Sequence, residues 1–98
     1  MYRTHRCNDI RKDHIGQIVE LAGWVEVIRD HGGVLFVDLR DETGVTQVVV
    51  HDETLLKGIA KETVISTKGT VTLRDAGTEN PKIATGDVEL VADSVTVL

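Results

Sequence analysis

The chain has one cysteine, one proline and one each of tryptophan, tyrosine and phenylalanine in 98 residues. With Cys7 alone, no internal disulfide and no cysteine cluster for zinc is expected, which fits a reducing cytoplasm. No apolar run is long enough to span a bilayer, and Met1 to Arg6 is polar and basic with nothing apolar behind it, so neither a membrane anchor nor a secretory signal is expected. Positive charge is also scarce. Eleven Lys and Arg against 16 Asp and Glu give a net charge of −5, and residues 1–30, 31–63 and 64–98 carry 0, −3 and −2. No segment has the basic stripe of a general nucleic-acid binder, which leaves room only for a local reader of one feature. At 41% hydrophobic the sequence is too apolar for a disordered acidic tail, and its length suits one packed core.

What is abundant is β-branching: 15 valines, 7 isoleucines and 11 threonines, a third of all positions. Stiff χ1 angles and pleated packing make these strand residues. From Gln17 to Arg29, Val19, Leu21, Gly23, Val25 and Val27 alternate with Glu20, Trp24 and Glu26, which predicts a long first strand bent at Gly23. Asp30-His31-Gly32-Gly33 supplies a turn, and a second strand runs Val34 to Arg40 with Leu35, Val37 and Leu39 on its apolar face. Asp41-Glu42-Thr43-Gly44 reads as a short hairpin loop with Gly44 as the left-handed residue of a bulged turn, before a third strand over Val45 to His51. Asp52 can cap a short helix whose Leu55, Leu56, Ile59 and Ala60 form one apolar stripe. Ile65, Thr67, Gly69, Val71 and Leu73 mark a fourth strand, kinked at Gly69. Residues 75–86 hold four turn-formers, Gly77, Asn80, the chain's one proline Pro81, and Gly86, and predict a long loop. Val88, Leu90 and Ala92 open a fifth strand that extends toward Leu98. A helical turn around Asn8 to His14 is expected ahead of the strands, with Ile10 and Ile15 covering a barrel end.

Five strands with a helix between the third and fourth is the element order of an OB-fold, an all-β, five-stranded Greek-key barrel. An SH3-like barrel is the competing architecture, and the helix position favours OB. Ligands of OB-folds lie across strands two and three, between the one-to-two and four-to-five loops, here residues 30–33 and 75–86.

Phe36 shares its strand face with Asp38 and Arg40, so that face is wet and the ring offers a stacking platform. The alternative is a satellite core position under the 75–86 loop. Arg29, Arg40 and Gln47 are the polar groups expected to join it, a guanidinium for phosphate or base edge and a carboxamide for an edge with both donor and acceptor. The plain alternative for each is surface polarity, including a pair between Arg40 and Asp38 or Asp41. Glu89 points outward near the barrel mouth, as an acceptor for a base or as a solvated charge. Trp24 reads as a packing residue of the first strand. His5, His14, His31 and His51 are scattered without metal-ligand spacing. Neither Ser66, Ser94 nor Cys7 has a histidine partner at readable spacing, so the chain alone shows no catalytic constellation and no metal site.

Gly23-Trp24-Val25, Arg29-Asp30-His31-Gly32-Gly33, Phe36-Val37-Asp38-Leu39-Arg40-Asp41, Gly44 with Gln47-Val48-Val49, and Asn80 through Glu89 together resemble the N-terminal anticodon-binding domain of bacterial-type aspartyl-tRNA synthetases. The resemblance spans nearly the whole chain. It implies a domain that grips the anticodon loop of an aspartate tRNA, with the central uridine stacked on Phe36 and read by Gln47, Arg29 contacting the loop, and Glu89 and the loop around Asn80 facing the neighbouring bases. It further implies that His31, in a His-Gly-Gly loop, resembles the forms that accept asparagine tRNA as well. The family's catalytic domain, which binds ATP and magnesium and charges the tRNA, has no counterpart in these residues. Either an excised domain or a truncated paralogue is therefore expected, with excision favoured: a monomeric, cytoplasmic fragment without a cofactor of its own, partnered in the full-length protein by that catalytic domain. Where the family often carries a run of arginines, Val27 and Ile28 leave Arg29 alone, which predicts weak phosphate attraction. An OB-type protein-interaction or scaffold domain with weak or lost RNA binding is the competing function.

Overall fold

A computed structural model describes residues 3–98; Met1 and Tyr2, the first two residues of the polar N-terminal run, lie outside the described residues. The β-branched segments form five strands, β1 (Ile18–His31), β2 (Val34–Asp41), β3 (Gly44–Val50), β4 (Val64–Leu73) and β5 (Val88–Val97). They close a barrel in the order β1-β2-β3-β5-β4, antiparallel everywhere except between β3 and β5. Both ends of β1 are used: residues 18–24 pair with β4 and residues 24–31 with β2. The change of partner follows Gly23, where an added Cβ would sit 2.2 Å from the Arg40 carbonyl oxygen. Leu21, Val37, Leu39, Val48, Val71 and Leu90 are among the side chains sealed inside.

Two departures from alternation shape the barrel. Val25 lies opposite Leu39 and Val27 opposite Asp38, so Glu26 is an extra residue in β1. Such a bulge reverses the facing of everything beyond it. Val27, expected in the core, is 37% exposed, whereas Ile28 packs against the core and Arg29 emerges on the outer face opposite Phe36. A second bulge sits on β5, where Lys68 pairs with Ser94 but Gly69 with Ala92. Gly69 is needed there because a Cβ would lie 2.0 Å from the Val91 carbonyl oxygen.

The connections are tighter than expected. Gly32 and Gly33, at φ +64 and +93, form a two-residue turn between paired His31 and Val34, the conformation that two consecutive positive φ angles allow. Asp41 pairs directly with Gly44, so that turn also has two residues and no bulge. Between β3 and β4, Asp52 accepts from the Thr54 amide at 3.0 Å and starts a 3-10 helix, Glu53–Leu56. It ends after one turn because Gly58 takes φ +77. Leu56 is buried and Leu55 and Ile59 pack on the core, but Ala60, expected on the same stripe, is exposed. Leu73, expected on the core face of β4, is likewise exposed at the strand's end.

The N-terminal segment closes one end of the barrel through Cys7 and Ile10, both fully buried, and carries a 3-10 turn at Lys12–His14. Ile15, expected beside Ile10, is 44% exposed. The segment is fastened by Asp41, whose carboxylate accepts from the Cys7 amide at 2.9 Å and the Thr43 amide at 2.8 Å. Burial by itself would raise the Asp41 pKa, but these bonds and that of the Thr43 hydroxyl outweigh it and hold the carboxyl below its ordinary value. The Cys7 thiol is pushed far up by burial and by the neighbouring Asp41 charge, which makes it an inert packing group.

Candidate nucleic-acid interface

The outer face of β1, β2 and β3 continues onto β5 as one row of polar side chains. Arg29 on β1 forks onto Asp38 of β2, with Nη1 and Nη2 donating to the two carboxylate oxygens at 3.1 and 2.9 Å. Its Nη2 also donates to Gln47 Oε1 of β3 at 3.3 Å. Gln47 Nε2 in turn donates to Glu89 Oε1 of β5 at 2.9 Å. The strand registers explain the row, since Asp38 lies opposite Gln47 and Phe36 lies opposite both Arg29 and Val49. Gln47, whose facing Val48, Val49 and Val50 leave undetermined in the sequence, therefore faces outward while remaining only 7% exposed.

These groups line an open cleft of about 520 Å³. Phe36, Val34 and Val49 provide its apolar surface and Arg29, Gln47 and Glu89 its polar one, while His31, His51, Asp75 and Thr78 complete the lining. Phe36 is half-buried, and the His31 ring meets it edge-on at a centroid distance of 5.3 Å and an angle of 80°. Five of the seven residues singled out for RNA contact, Arg29, His31, Phe36, Gln47 and Glu89, thus share one cleft.

Asn80 is not among the residues lining that cleft. Its side-chain oxygen accepts from the Lys82 amide at 3.0 Å and its own amide donates to the Gly86 carbonyl at 3.0 Å, so it folds the loop back on itself. Arg40 does not join the cleft either, because the Glu26 bulge sets a carboxylate 2.9 Å from its Nε, and it pairs with neither Asp38 nor Asp41. Trp24 lies opposite Arg40 and Val64, 37% exposed and away from the cleft. The histidines are not scattered: His5 and His14 meet edge-to-face at 5.1 Å, and His31 and His51 both line the cleft. Among the described residues, no group of three or more His, Cys, Asp or Glu is placed to hold a metal ion.

One structural anchor has no marker in the sequence beyond its place at the end of β4. Arg74 is 7% exposed, and its guanidinium donates to the carbonyls of Val88 at 3.1 Å and Thr78 at 3.2 Å, fixing the 75–87 loop beside the cleft. Burial lowers its pKa, against the opposing charges of Glu89 and Asp38. Glu89 moves the other way. Burial raises its carboxyl above the ordinary value, and the Gln47 hydrogen bond and the Arg74 charge only partly offset this. The cleft therefore combines one aromatic face, a carboxamide with both ends held, and a carboxylate that is costly to leave charged and unpaired.

The family model for the tRNA anticodon OB-fold nucleic acid binding domain matches residues 19–98. The aspartate–tRNA(Asp/Asn) ligase of Arthrobacter sp. (strain FB24) is 54% identical over all 98 residues, which make up 16% of that protein. The ligase of the same name from Thermobifida fusca (strain YX) is 51% identical over 98 residues, 17% of its length. Among solved structures, asparaginyl-tRNA synthetase from Pyrococcus horikoshii superposes with a TM-score of 0.81 at 27% identity, covering 100% of this chain and 23% of that one. The OBody AM2EP06, bound to hen egg-white lysozyme, superposes with a TM-score of 0.82 at 27% identity, covering 98% of this chain and 93% of that one. The chain spans about one sixth of the length of the ligases it matches.

Proposed function

The chain belongs to the family of anticodon-binding OB-fold domains found in aspartyl- and asparaginyl-tRNA synthetases, and from that premise we propose that it binds the anticodon loop of tRNA(Asp) and tRNA(Asn) in the Phe36 cleft. The observation that carries this is the juxtaposition of a half-buried aromatic ring with Gln47, Arg29 and Glu89 in one open cleft. Splayed loop bases are bound by stacking on such rings and by hydrogen bonds to their edges. In this reading Phe36 stacks the central anticodon base, Gln47 reads its edge, Arg29 approaches the loop, and Glu89 accepts from a neighbouring base. His31 borders the stack, and Asn80 acts by shaping the 75–87 loop. Aminoacylation, with its ATP and magnesium, is assigned to the rest of a full-length ligase in which this domain supplies tRNA recognition. Among the described residues no helix is long and apolar enough to cross a membrane.

Titration of the 98-residue chain with an aspartate anticodon stem-loop tests the assignment. Phe36→Ala is expected to weaken binding by about 1–3 kcal/mol, the scale of one stacked base, and an unchanged affinity would sink it. A protein-interaction domain with lost RNA binding is the second reading, favoured by the net charge of −5. Amide shifts confined to Phe36, Gln47 and the 30–33 and 75–86 segments support RNA; silence at high RNA concentration supports the second reading.

A further inference from the structure

We propose that Asp38 is a specificity-determining positioning residue: by clamping Arg29 it fixes which end of the Gln47 carboxamide is donor and which is acceptor toward a bound base. The inference rests on the anticodon reading above and adds to it how one base is told from another.

A carboxamide is nearly symmetric in shape, so a free glutamine can turn over and present its oxygen or its nitrogen to the same position. Each orientation matches a different order of donors and acceptors along a base edge, and a glutamine free to choose discriminates poorly. In this barrel the choice is made by two opposite charges. Arg29 Nη2, a donor with no acceptor capacity, lies 3.3 Å from Gln47 Oε1. The Glu89 carboxylate, an acceptor when ionised, lies 2.9 Å from Gln47 Nε2. Turning the amide over would set nitrogen against guanidinium and oxygen against carboxylate, losing both bonds for two repulsive contacts.

Arg29 can hold one end only if it is itself held. It emerges from the bulged end of β1 with its side chain 40% exposed, and a long exposed side chain has many rotamers to choose from. Asp38 removes that choice through two parallel bonds of 2.9 and 3.1 Å, the geometry in which a planar guanidinium is most rigidly oriented. Asp38 itself sits on β2, opposite Gln47 and two residues from Phe36. It does not line the cleft, so its influence on a bound base passes through Arg29 and Gln47. One hydrogen of Gln47 Nε2 and one lone pair of Oε1 remain free for the base, in an order set two strands away.

The experiment uses the 98-residue chain, with Asp38→Ala and Asp38→Asn, and four anticodon stem-loops identical except at the middle anticodon base. The parent is expected to prefer one of the four. Asp38→Ala is expected to reduce that preference about tenfold, the scale of a lost edge contact, chiefly by tightening the disfavoured loops relative to the favoured one, with Asp38→Asn intermediate because one acceptor remains. In the absence of RNA, the two Gln47 side-chain amide proton signals should be distinct in the parent and should collapse toward free-glutamine positions in the variants. Affinity falling equally for all four loops, or Gln47 signals unmoved by the substitution, would overturn the inference and leave Asp38 a structural residue only. A parent that binds none of the four would bring down the anticodon reading, and this inference with it. Should Asp38→Ala not fold, Asp38→Asn carries both measurements.

Discussion

Asp41 and Glu89 are both carboxylates at the margins of strands, and their surroundings move them in opposite directions. Asp41 is nearly buried but accepts from the Cys7 and Thr43 amides and the Thr43 hydroxyl, and its pKa is lowered. A depressed carboxyl stabilises the fold above its unfolded pKa, about 4, and that contribution is lost as pH falls through the folded value. Asp41→Asn is therefore expected to cost about 2–3 kcal/mol at neutral pH, the scale of hydrogen bonds to a charged acceptor, and less at pH 3, as read from urea midpoints at both pH values. Glu89 is raised by burial, so its ionisation opposes folding, and stability falls as pH rises from its unfolded pKa through the folded one. Glu89→Gln is expected to melt no lower than the parent at pH 7, with any advantage disappearing in acid; a lower melting temperature at pH 7 together with an unchanged acid limb would contradict the assignment. Phe36 was legible as a candidate because its own strand neighbours, Asp38 and Arg40, mark the face as wet. The Arg29–Asp38 clamp was not, because its partners are nine residues apart on different strands and meet only through the register.

At the scale of elements, what the sequence hides is the bulge at Glu26. Val25-Glu26-Val27 continues a regular alternation, so no residue type there signals an extra position, yet the register shows one. The bulge is what turns Val27 out of the expected core face and sets Arg29 opposite Phe36 on the outer one. The Gly32-Gly33 turn is legible because only glycine accepts two successive positive φ angles without strain. The 3-10 turn at Glu53–Leu56 is half legible: its apolar spacing suits a longer helix, but Gly58 stops it first. The two roles of glycine can be separated by measurement. Gly58→Ala meets nothing within 4 Å and is strained only by its φ of +77, so a loss of about 1–2 kcal/mol is expected. Gly69→Ala places a methyl 2.0 Å from the Val91 carbonyl oxygen at the β4–β5 bulge, where backbone must shift, and a loss at the upper end of about 1–3 kcal/mol or beyond is expected. Denaturant midpoints should rank Gly69→Ala as the less stable; the reverse order would mean that the barrel closes less tightly at β5 than these contacts require.

For the molecule as a whole, the scarcity of positive charge limits how RNA can be held. Several of its cations are already engaged, Arg3 by Asp41 and Glu42, Lys12 by Asp87, Arg29 by Asp38 and Arg40 by Glu26. Arg29 is the one Lys or Arg lining the cleft among the described residues. Binding in this cleft should therefore displace few counterions from the RNA. With one or two phosphates neutralised, the slope of log K against log salt is expected at about −0.7 to −1.4, a loss of roughly three- to sevenfold between 50 and 200 mM. Phe36→Ala should lower affinity at every salt concentration and leave that slope unchanged, because stacking releases no ions, whereas Arg29→Gln should flatten it. Stem-loop titrations across that salt range separate the two contributions. A parent slope steeper than about −3 would place most of the binding energy on a phosphate track outside the Phe36 cleft and would move the interface to another face of the barrel.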